Sequence, residues 1–404
     1  MYIQQKIGTY QNLTPSVERQ AAARQPLRHR PHPSLPRGGV AGYFVLSLLS
    51  EYLSISKMKA QIIDISHWVE RPINTEGTRN KSVLIHPQDG QEYYFKSSLK
   101  KERKNYLYEF WSEVIASKVG QALSFDVADY NVGLRLEDGA LTVGALTPSV
   151  HNDAEELISG YNLVAQYHPQ FSQTYKQEHS LQIIEQTLSF HGLDNDFPKM
   201  LECMVFDAII GNTDRHSENW AFIANKEYLD VQQSVKRNAD ELPAWSENQL
   251  EFTLKRLAHT LVRYANPKFM RLAPLYDNGS SLGREIDEVR LKNMIGQPQE
   301  LEGYITRGKP DIRIREQKTT FLDTIEYLCR DYPELMRSII TELGGRYDRE
   351  QLEQIVSLFD QVPEMKNIPL ELRLSRERKQ LITTIITERT ERIIKIGQQI
   401  CAKQ

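Results

Sequence analysis

The sequence contains little cysteine. Only three of its 404 residues are cysteines, Cys203, Cys329 and Cys401, and they are odd in number and far apart along the chain. This pattern fits neither a disulfide framework nor a metal site with closely spaced ligands. We therefore predict three free thiols and a reducing, cytoplasmic compartment.

An excess of charge of one sign is also missing. The chain has 50 lysines and arginines against 53 aspartates and glutamates, a net charge of -3. Proteins that bind nucleic acid directly usually carry a basic patch, so we expect no nucleic-acid partner. With 40% hydrophobic and 25% charged residues, the composition is that of an ordinary globular protein with room for two lobes.

Long apolar runs, internal repeats and coiled-coil heptads are absent from the sequence. The apolar run at residues 40–49 is too short to span a bilayer, so we expect no membrane partner. A secretory signal is disfavoured, because the segment before the run is long and no cleavage-like motif follows. The basic, proline-rich residues 24–33 cannot bury much apolar surface. We predict that residues 1–57 are a disordered extension or an upstream mis-start, and that Met58 begins the folded part.

A polar segment interrupts an apolar helical pattern within residues 204–223. The helical pattern stops at Gly211, and Asp214 and Asn219 follow with four residues between them. In kinase catalytic loops with this spacing, the Asp orients or deprotonates the attacking hydroxyl and the Asn holds Mg2+ on the ATP phosphates. From the spacing alone, a helix C-cap followed by an ordinary polar turn remains an alternative. Within the helix, we interpret Asp207 as a buried carboxylate that accepts N–H bonds from the loop.

A second motif lies farther along the chain, L-A-P-L-Y-D-N-G at residues 272–279. Its Asp277 is a candidate for a second metal-holding carboxylate. Together, G-N-T-D-R-H-x-x-N-W and L-x-P-L-Y-D-N-G resemble the HipA-like protein kinases, especially the shorter CtkA-type members. The N-T-D-R string is also similar, more distantly, to that of the phosphoinositide kinases. The resemblance extends over about residues 73–315.

The resemblance implies an α+β, bilobal, protein-kinase-like fold, with a small β-rich N-lobe and a larger helical C-lobe. It also implies phosphorylation of a protein Ser or Thr hydroxyl, with ATP as the donor and Mg2+ as the metal. We place the N-lobe at residues 58–147 and the C-lobe at 148–404, with an adenine-binding hinge near 146–149. Residues 225–268 are predicted to be an insert in the C-lobe.

The segment before the hinge has strand and helix patterns in the order that kinases use. Runs at residues 82–85 and 93–96 flank a turn at 87–90 and predict a hairpin whose second strand carries Lys96. A helix is predicted over residues 105–122, with Glu109 and Glu113 on one face. A second hairpin is predicted at residues 131–136 and 141–146, around Asp138-Gly139.

The resemblance assigns roles to these residues. Lys96 would hold the α- and β-phosphates, and Glu113 would position Lys96, with Glu109 as the alternative. The polar turn at residues 74–82, with Gly77, Thr78 and Lys81, would cover the phosphates. Asp214 would act on the nucleophile, and Asn219 and Asp277 would hold Mg2+. From the residues alone, a plain surface loop and a solvated strand-end lysine remain open.

Helical patterns dominate the C-lobe. Residues 154–190 are predicted to be mostly helical, residues 197–211 to form the helix that leads into the catalytic loop, and residues 319–404 to be helical with prolines as breaks. The segment 303–313 contains basic residues that would bind phosphate or an acidic substrate, or else form a solvated loop.

One departure from the family concerns regulation. HipA-like kinases are switched off by phosphorylation of a serine in the phosphate loop, but Asn74 takes that position here. Thr75 and Thr78 are the nearest hydroxyls, so self-phosphorylation is predicted there if the switch exists. Two other functions stay open: a phosphoinositide-type lipid kinase, and a catalytically silent, antitoxin-like binding partner. The expected partners are an unidentified protein substrate and a cognate antitoxin-like protein.

Overall fold

The computed structural model describes residues 60–72, 81–101, 104–171, 179–227, 229–230 and 270–401. The predictions for residues 1–57, for the phosphate loop from Asn74 to Asn80, and for the insert beyond residue 230 lie outside the described residues. Gly77, Thr78 and Thr75 therefore belong to that undescribed part.

The first half of the described chain is built on a mixed sheet next to one helix. Its elements are β1 (Ile62–Asp64), β2 (Val69–Arg71), β3 (Lys81–Ile85), β4 (Glu92–Ser97), β5 (Lys100–Lys101), β6 (Lys104–Asn105), α1 (Glu109–Ala122), β7 (Asn131–Glu137) and β8 (Ala140–Pro148). Six of these strands form one sheet in the order β1-β7-β8-β4-β3-β2, in which β1 runs parallel to β7 and the other pairs are antiparallel. Both predicted hairpins, β3–β4 and β7–β8, are confirmed.

The alternation of side chains along β4 and β8 gives the sheet two different faces. Phe95 pairs with Leu146, and both belong to a small apolar cluster on the face away from α1. Their neighbours Lys96 and Ala145 point the other way, and Ala145 joins the main core together with α1. This register places the Lys96 ammonium on the face that α1 covers.

Helix α1 begins later than the sequence predicts, at Glu109 rather than at residue 105. Residues 104–105 pair with β5, and Tyr106 N donates to Leu99 O at 3.0 Å. This local pairing holds residues 104–105 extended, so the helix starts after them. The helix is then buried on every side from Glu109 to Gly120, so that Glu109 and Glu113 both lie in the interior.

The second half starts with a short sheet and the helix that precedes the catalytic loop. Its elements are β9 (Glu155–Ser159), α2 (Gly160–Tyr167), α3 (Leu181–Phe190), α4 (Phe197–Ile210), β10 (Ala221–Asn225) and β11 (Met270–Leu272), with the strands ordered β11-β10-β9. The predicted helical character of residues 154–190 is wrong at its start. Residues 155–159 pair antiparallel with β10, a partner more than sixty residues away that local periodicity does not reveal.

Helices dominate the remaining described chain, and the prediction of helices after residue 319 is confirmed. This part contains α5 (Glu288–Gly296), α6 (Pro298–Arg307), α7 (Phe321–Asp331), α8 (Pro333–Arg346), α9 (Arg349–Val356) and α10 (Arg376–Cys401). The loop alternative for residues 303–313 is wrong for residues 303–307, which lie in a helix. Helix α10 packs against α4, α7 and α8 and is therefore central to this part of the fold. No helix of the described residues is long and apolar enough to cross a membrane.

The three cysteines are free and buried. Cys329 and Cys401, far apart in sequence, lie side by side where α7 meets the end of α10. Burial raises the pKa of the Cys329 thiol to about 12. These thiols pack as apolar groups.

Candidate active site

The end of α4 leads directly into the predicted catalytic loop. Gly211 caps the helix in the left-handed region, at a φ of 70°, which a glycine adopts without steric cost. Asn212 is fully buried just after it. The Asn212 amide donates to Asp207 Oδ1 at 3.1 Å, and its side-chain oxygen accepts the Asp214 N–H at 3.1 Å. The backbone that carries Asp214 is thus tied to the helix before it.

Asp214 and Asn219 are held together within this loop. The Asn219 side-chain nitrogen donates to the backbone oxygen of Asp214 at 2.7 Å. The Asn219 amide oxygen accepts no hydrogen bond from the described residues. Asp214 itself is half-buried.

Arg215 lies at the centre of the loop and was given no role by sequence reasoning. It is fully buried, and its guanidinium bonds to Asp207 through Nε at 3.0 Å and through Nη2 at 2.8 Å. Burial alone would lower the pKa of Arg215, but the Asp207 carboxylate outweighs it and raises that pKa. The interpretation of Asp207 as a buried acceptor of loop N–H groups is confirmed.

The other Arg215 donors reach the second motif. Nη1 donates to the backbone oxygens of Asn219 and Tyr276, at 2.8 and 2.6 Å, and Nη2 donates to Asn278 Oδ1 at 2.6 Å. We call Asp207, Asn212, Arg215 and Asn278 the loop hub. It joins α4, the catalytic loop and the Asp277 loop, and the only hint of it in the sequence is the N-T-D-R string itself.

Asp277 follows β11 in a strained backbone conformation. Its φ of 55° lies in the left-handed region, which non-glycine residues enter rarely and at a cost of about 1–3 kcal/mol. The conformation is held from the next residue, because Asn278 N donates to Glu113 Oε2 at 2.6 Å. The carboxylate of Asp277 contacts the Lys96 ammonium.

Lys96, Glu113 and Asp277 form the second group, which we call the cleft cluster. Lys96 Nζ lies 2.8 Å from Glu113 Oε1, so the pairing predicted from the resemblance is present. Glu109, the alternative partner, is engaged elsewhere, with Arg284 and with Leu99 N. Burial raises the pKa of Glu113, and the Lys96 ammonium offsets part of that effect.

A serine that sequence reasoning missed links the two motifs. The Ser280 hydroxyl donates to Asp214 Oδ2 at 3.2 Å, and the Thr213 N–H donates to the Ser280 carbonyl at 3.2 Å. Ser280 is buried and stands three residues after Asp277. Serine is common after a turn, and no spacing rule singles it out.

Lys81 is the one phosphate-loop candidate among the described residues. It begins β3 directly opposite Lys96 in the β3–β4 pairing. Desolvation lowers the pKa of Lys81, Lys96 lowers it further, and the Asp277 carboxylate opposes the change. Two lysines therefore stand side by side at the edge of the cleft cluster.

The assembled site can bind an anion next to a metal. It offers two ammonium groups, an amide oxygen, and carboxylates that are carried by α1 and by the two loops, which Ser280 joins. Within the described ranges, no group of three His, Cys, Asp or Glu side chains could hold a metal by itself. A hard cation that keeps part of its coordination from a bound phosphate needs only one or two protein oxygens.

Sequence comparison and structure comparison both match this chain to the kinase CtkA. No protein-family model matches the sequence. The serine/threonine-protein kinase CtkA of Helicobacter pylori is 22% identical over 215 residues, which cover 51% of this chain and 50% of that protein. The alignment thus spans about half the length of that relative.

The crystal structure of the same proinflammatory kinase, CtkA of Helicobacter pylori, matches with a TM-score of 0.61. That match has 17% sequence identity and covers 85% of this chain and 98% of the other. The predicted resemblance to CtkA-type kinases and the predicted α+β, bilobal, kinase-like fold are confirmed.

Proposed function

We propose that this protein, which has the fold of CtkA and resembles it in sequence, is a kinase that transfers phosphate from ATP to a protein Ser or Thr hydroxyl. The observation that carries the proposal is the meeting of Lys96, Glu113 and Asp277 beside the loop of Asp214 and Asn219. Phosphoryl transfer depends mainly on positioning and on charge neutralisation. In this proposal residues 58–147 form the N-lobe and residues 148–404 the C-lobe.

The phosphate-binding cation in this proposal is Lys96. Its ammonium is anchored by Glu113, whose side chain is 1% exposed, while Lys96 itself is 13% exposed and borders the cleft. An anchored ammonium loses little additional freedom when it binds the α- and β-phosphates. Glu113 therefore acts by positioning Lys96.

Asp214 is the residue proposed to act on the acceptor hydroxyl. Its backbone is fixed by Asn212 and Asn219, and one carboxylate oxygen accepts the Ser280 hydroxyl. A carboxylate held in this way can orient the attacking hydroxyl and take its proton as the bond to phosphorus forms.

Asn219 and Asp277 fit the Mg2+ that such a reaction uses. Both offer hard oxygen donors, and the Asn219 amide nitrogen is already occupied by the Asp214 carbonyl, which directs the oxygen to other partners. The cleft cluster itself has two carboxylates and one ammonium, an excess of one carboxylate that suits a cation, and Lys81 beside it supplies a further positive charge for the phosphates. Mg2+, when bound, neutralises charge on the transferring phosphate.

We extend the proposal to the phosphate loop, with Gly77, Thr78 and Lys81 covering the ATP phosphates. The support comes from Lys81, because like charges placed directly opposite each other on neighbouring strands repel, and a bound phosphate would offset that repulsion together with the Asp277 carboxylate. We further propose that self-phosphorylation, if it occurs in this loop, uses Thr75 or Thr78. Mass spectrometry after incubation with ATP and Mg2+ tests this, and phosphate confined to the C-lobe would contradict it.

The function is tested with labelled ATP and Mg2+. The purified protein is incubated alone, with a mixture of protein acceptors, and with vesicles that contain phosphoinositides. We expect label on Ser or Thr of protein, and none in the same reactions of Asp214→Asn. Label on lipid alone would favour the lipid kinase, and no label in any reaction would favour a silent binding partner.

A further inference from the structure

Helix α10 carries a buried cation that none of the proposed roles uses. Arg389 is 2% exposed, and in the described part of the chain its guanidinium forms no ion pair with a carboxylate. Its Nε has no hydrogen-bond partner among the described residues. Burying an arginine without a carboxylate is costly, so a compensating interaction is expected.

That compensation comes from the C-terminal ends of two helices. Nη1 of Arg389 donates to Ala208 O, in the last turn of α4, at 3.3 Å, and Nη2 donates to Tyr304 O, in the last turn of α6, at 3.1 Å. Carbonyls at helix C-termini lack partners within the helix and carry partial negative charge, which favours a cation there. The guanidinium also lies 4.9 Å from the ring centre of Phe321, in a cation–π contact.

Two glycines make room for this arrangement. A Cβ at Gly211 would overlap the Arg389 guanidinium, and a Cβ at Gly308 would stand 2.9 Å from Arg389 Nη2. Gly211 is the residue at which α4 ends and the catalytic loop begins. The guanidinium therefore packs directly against the entry of the loop that carries Asp214.

The end of α4 is held from several sides. Asp207 O accepts the Asn212 N–H, Ile210 O accepts the Leu282 N–H, and Ala208 O accepts Arg389. The first two bonds come from the catalytic loop and from the Asp277 segment. The third comes from α10, more than 180 residues away along the chain.

We propose that Arg389 is a positioning residue, which holds the end of α4 and thereby sets the place of the catalytic loop. It touches neither substrate nor metal in this proposal, and it acts through Ala208 and Gly211. Its catalytic consequence rests on the proposed kinase function, whereas its effect on the loop does not. Lysine keeps the charge but lacks the planar fork that reaches two carbonyls, whereas methionine lacks both. Arg389→Lys should therefore have a smaller effect than Arg389→Met.

The direct test is hydrogen exchange of the loop amides in the full-length protein. The N–H groups of Asn212, Thr213 and Asp214 are all hydrogen-bonded and report the closed loop. We expect Arg389→Met to speed their exchange by about tenfold or more, as the loss of a hydrogen bond from a charged group predicts, and Arg389→Lys to have a smaller effect. The control is Ile393→Ala, a fully buried core residue one turn farther along α10, which should lower the melting temperature without this local change.

The second readout is kinetic, at a temperature well below unfolding. We expect Arg389→Met to lower kcat by about tenfold, with the KM for ATP nearly unchanged, and Ile393→Ala to leave both parameters near wild type. Equal loop exchange in Arg389→Met and wild type, or equal acceleration by Ile393→Ala, would overturn the proposal. Should Arg389→Met not fold, the same comparison is made with Arg389→Lys. A wild-type protein that transfers no phosphate would refute the kinase function, while the exchange data would still decide the role of Arg389.

Discussion

The cleft cluster and the loop hub are both groups of charged and polar side chains. They differ in how fully their charges and hydrogen-bond donors are paired within the protein. In the hub, Arg215 is fully buried, and its five N–H donors all have acceptors, on Asp207, Asn219, Tyr276 and Asn278. In the cluster, Lys96 stands between two carboxylates, and the side chain of Asp277 is 28% exposed. The hub is neutral and enclosed, whereas the cluster is negative and open to the cleft.

This difference indicates that the loop hub and the cleft cluster have different roles. A buried, fully satisfied ion pair holds one geometry, because any movement leaves a charge unpaired in a medium of low polarity. A partly exposed group with unbalanced charge can exchange partners when a cation or a phosphate arrives. We infer that the hub keeps the two motifs in register and that the cluster meets the ligands. Substitutions in and around the two groups test this inference.

The largest effect is expected on turnover, from the two acidic residues that border the cleft. Asp214→Asn and Asp277→Asn should each lower kcat by about 10²–10⁴-fold, because the carboxylates act on the phosphoryl-transfer transition state. The fold should persist, since asparagine also tolerates the left-handed backbone at residue 277. Single-turnover phosphotransfer measures the first effect and thermal unfolding the second. Near-wild-type transfer by either variant would remove that residue from the proposed machinery.

The next effect is on stability, from the hub. Arg215→Met should lower the free energy of unfolding by about 3–5 kcal/mol, because it leaves the buried Asp207 carboxylate unpaired. Urea denaturation measures it. The double variant Asp207→Leu/Arg215→Met should recover part of the loss, since it removes both buried charges. A loss below about 1 kcal/mol for the single variant would mean that water reaches the hub and that it is not enclosed.

A smaller effect is expected on nucleotide binding, from the cluster. Lys96→Ala should weaken ATP affinity or turnover by about 1–3 kcal/mol, the range of charge-assisted hydrogen bonds. The stabilisation of the wild type by ATP and Mg2+ in thermal unfolding should shrink accordingly. Lys100→Ala, an exposed lysine of β5, serves as the control and should behave like wild type. If ATP and Mg2+ stabilise Lys96→Ala as strongly as wild type, Lys96 is a structural lysine only.

The smallest effect is expected at Ser280, which joins the two motifs. Ser280→Ala removes one hydrogen bond to Asp214 and should lower kcat by about fivefold, which corresponds to about 1 kcal/mol. Ser281→Ala is the matched control, because the neighbouring hydroxyl bonds to the Asn278 carbonyl instead, at 2.6 Å. Equal kinetics for the two variants would show that the bond to Asp214 does not orient the carboxylate.

Much of the local structure could be predicted because its causes are local. The hairpin turn at Asp138 and Gly139 adopts φ values of 49° and 78°, which Asp-Gly favours, and α4 ends at Gly211 for a similar reason. The strand β9 could not be predicted in the same way. It depends on pairing with β10, more than sixty residues away, and the segment's own propensity is then overruled. The late start of α1 has a local cause, the pairing of β5 with β6, whose paired residues are three to five positions apart.

The sequence contains the residue types of the candidate site and the order in which they occur. Spacing and resemblance pointed to Asp214, Asn219 and Asp277, and resemblance and order along the chain pointed to Lys96 and Glu113. Which of these residues meet depends on the tertiary structure. Lys96 and Asp277 are separated by 181 residues, and Glu113 and Asn278 by 165. Contacts over such distances form because the strand register, the burial of α1 and the enclosed charge of Arg215 bring separate segments together, and no window of sequence contains that information.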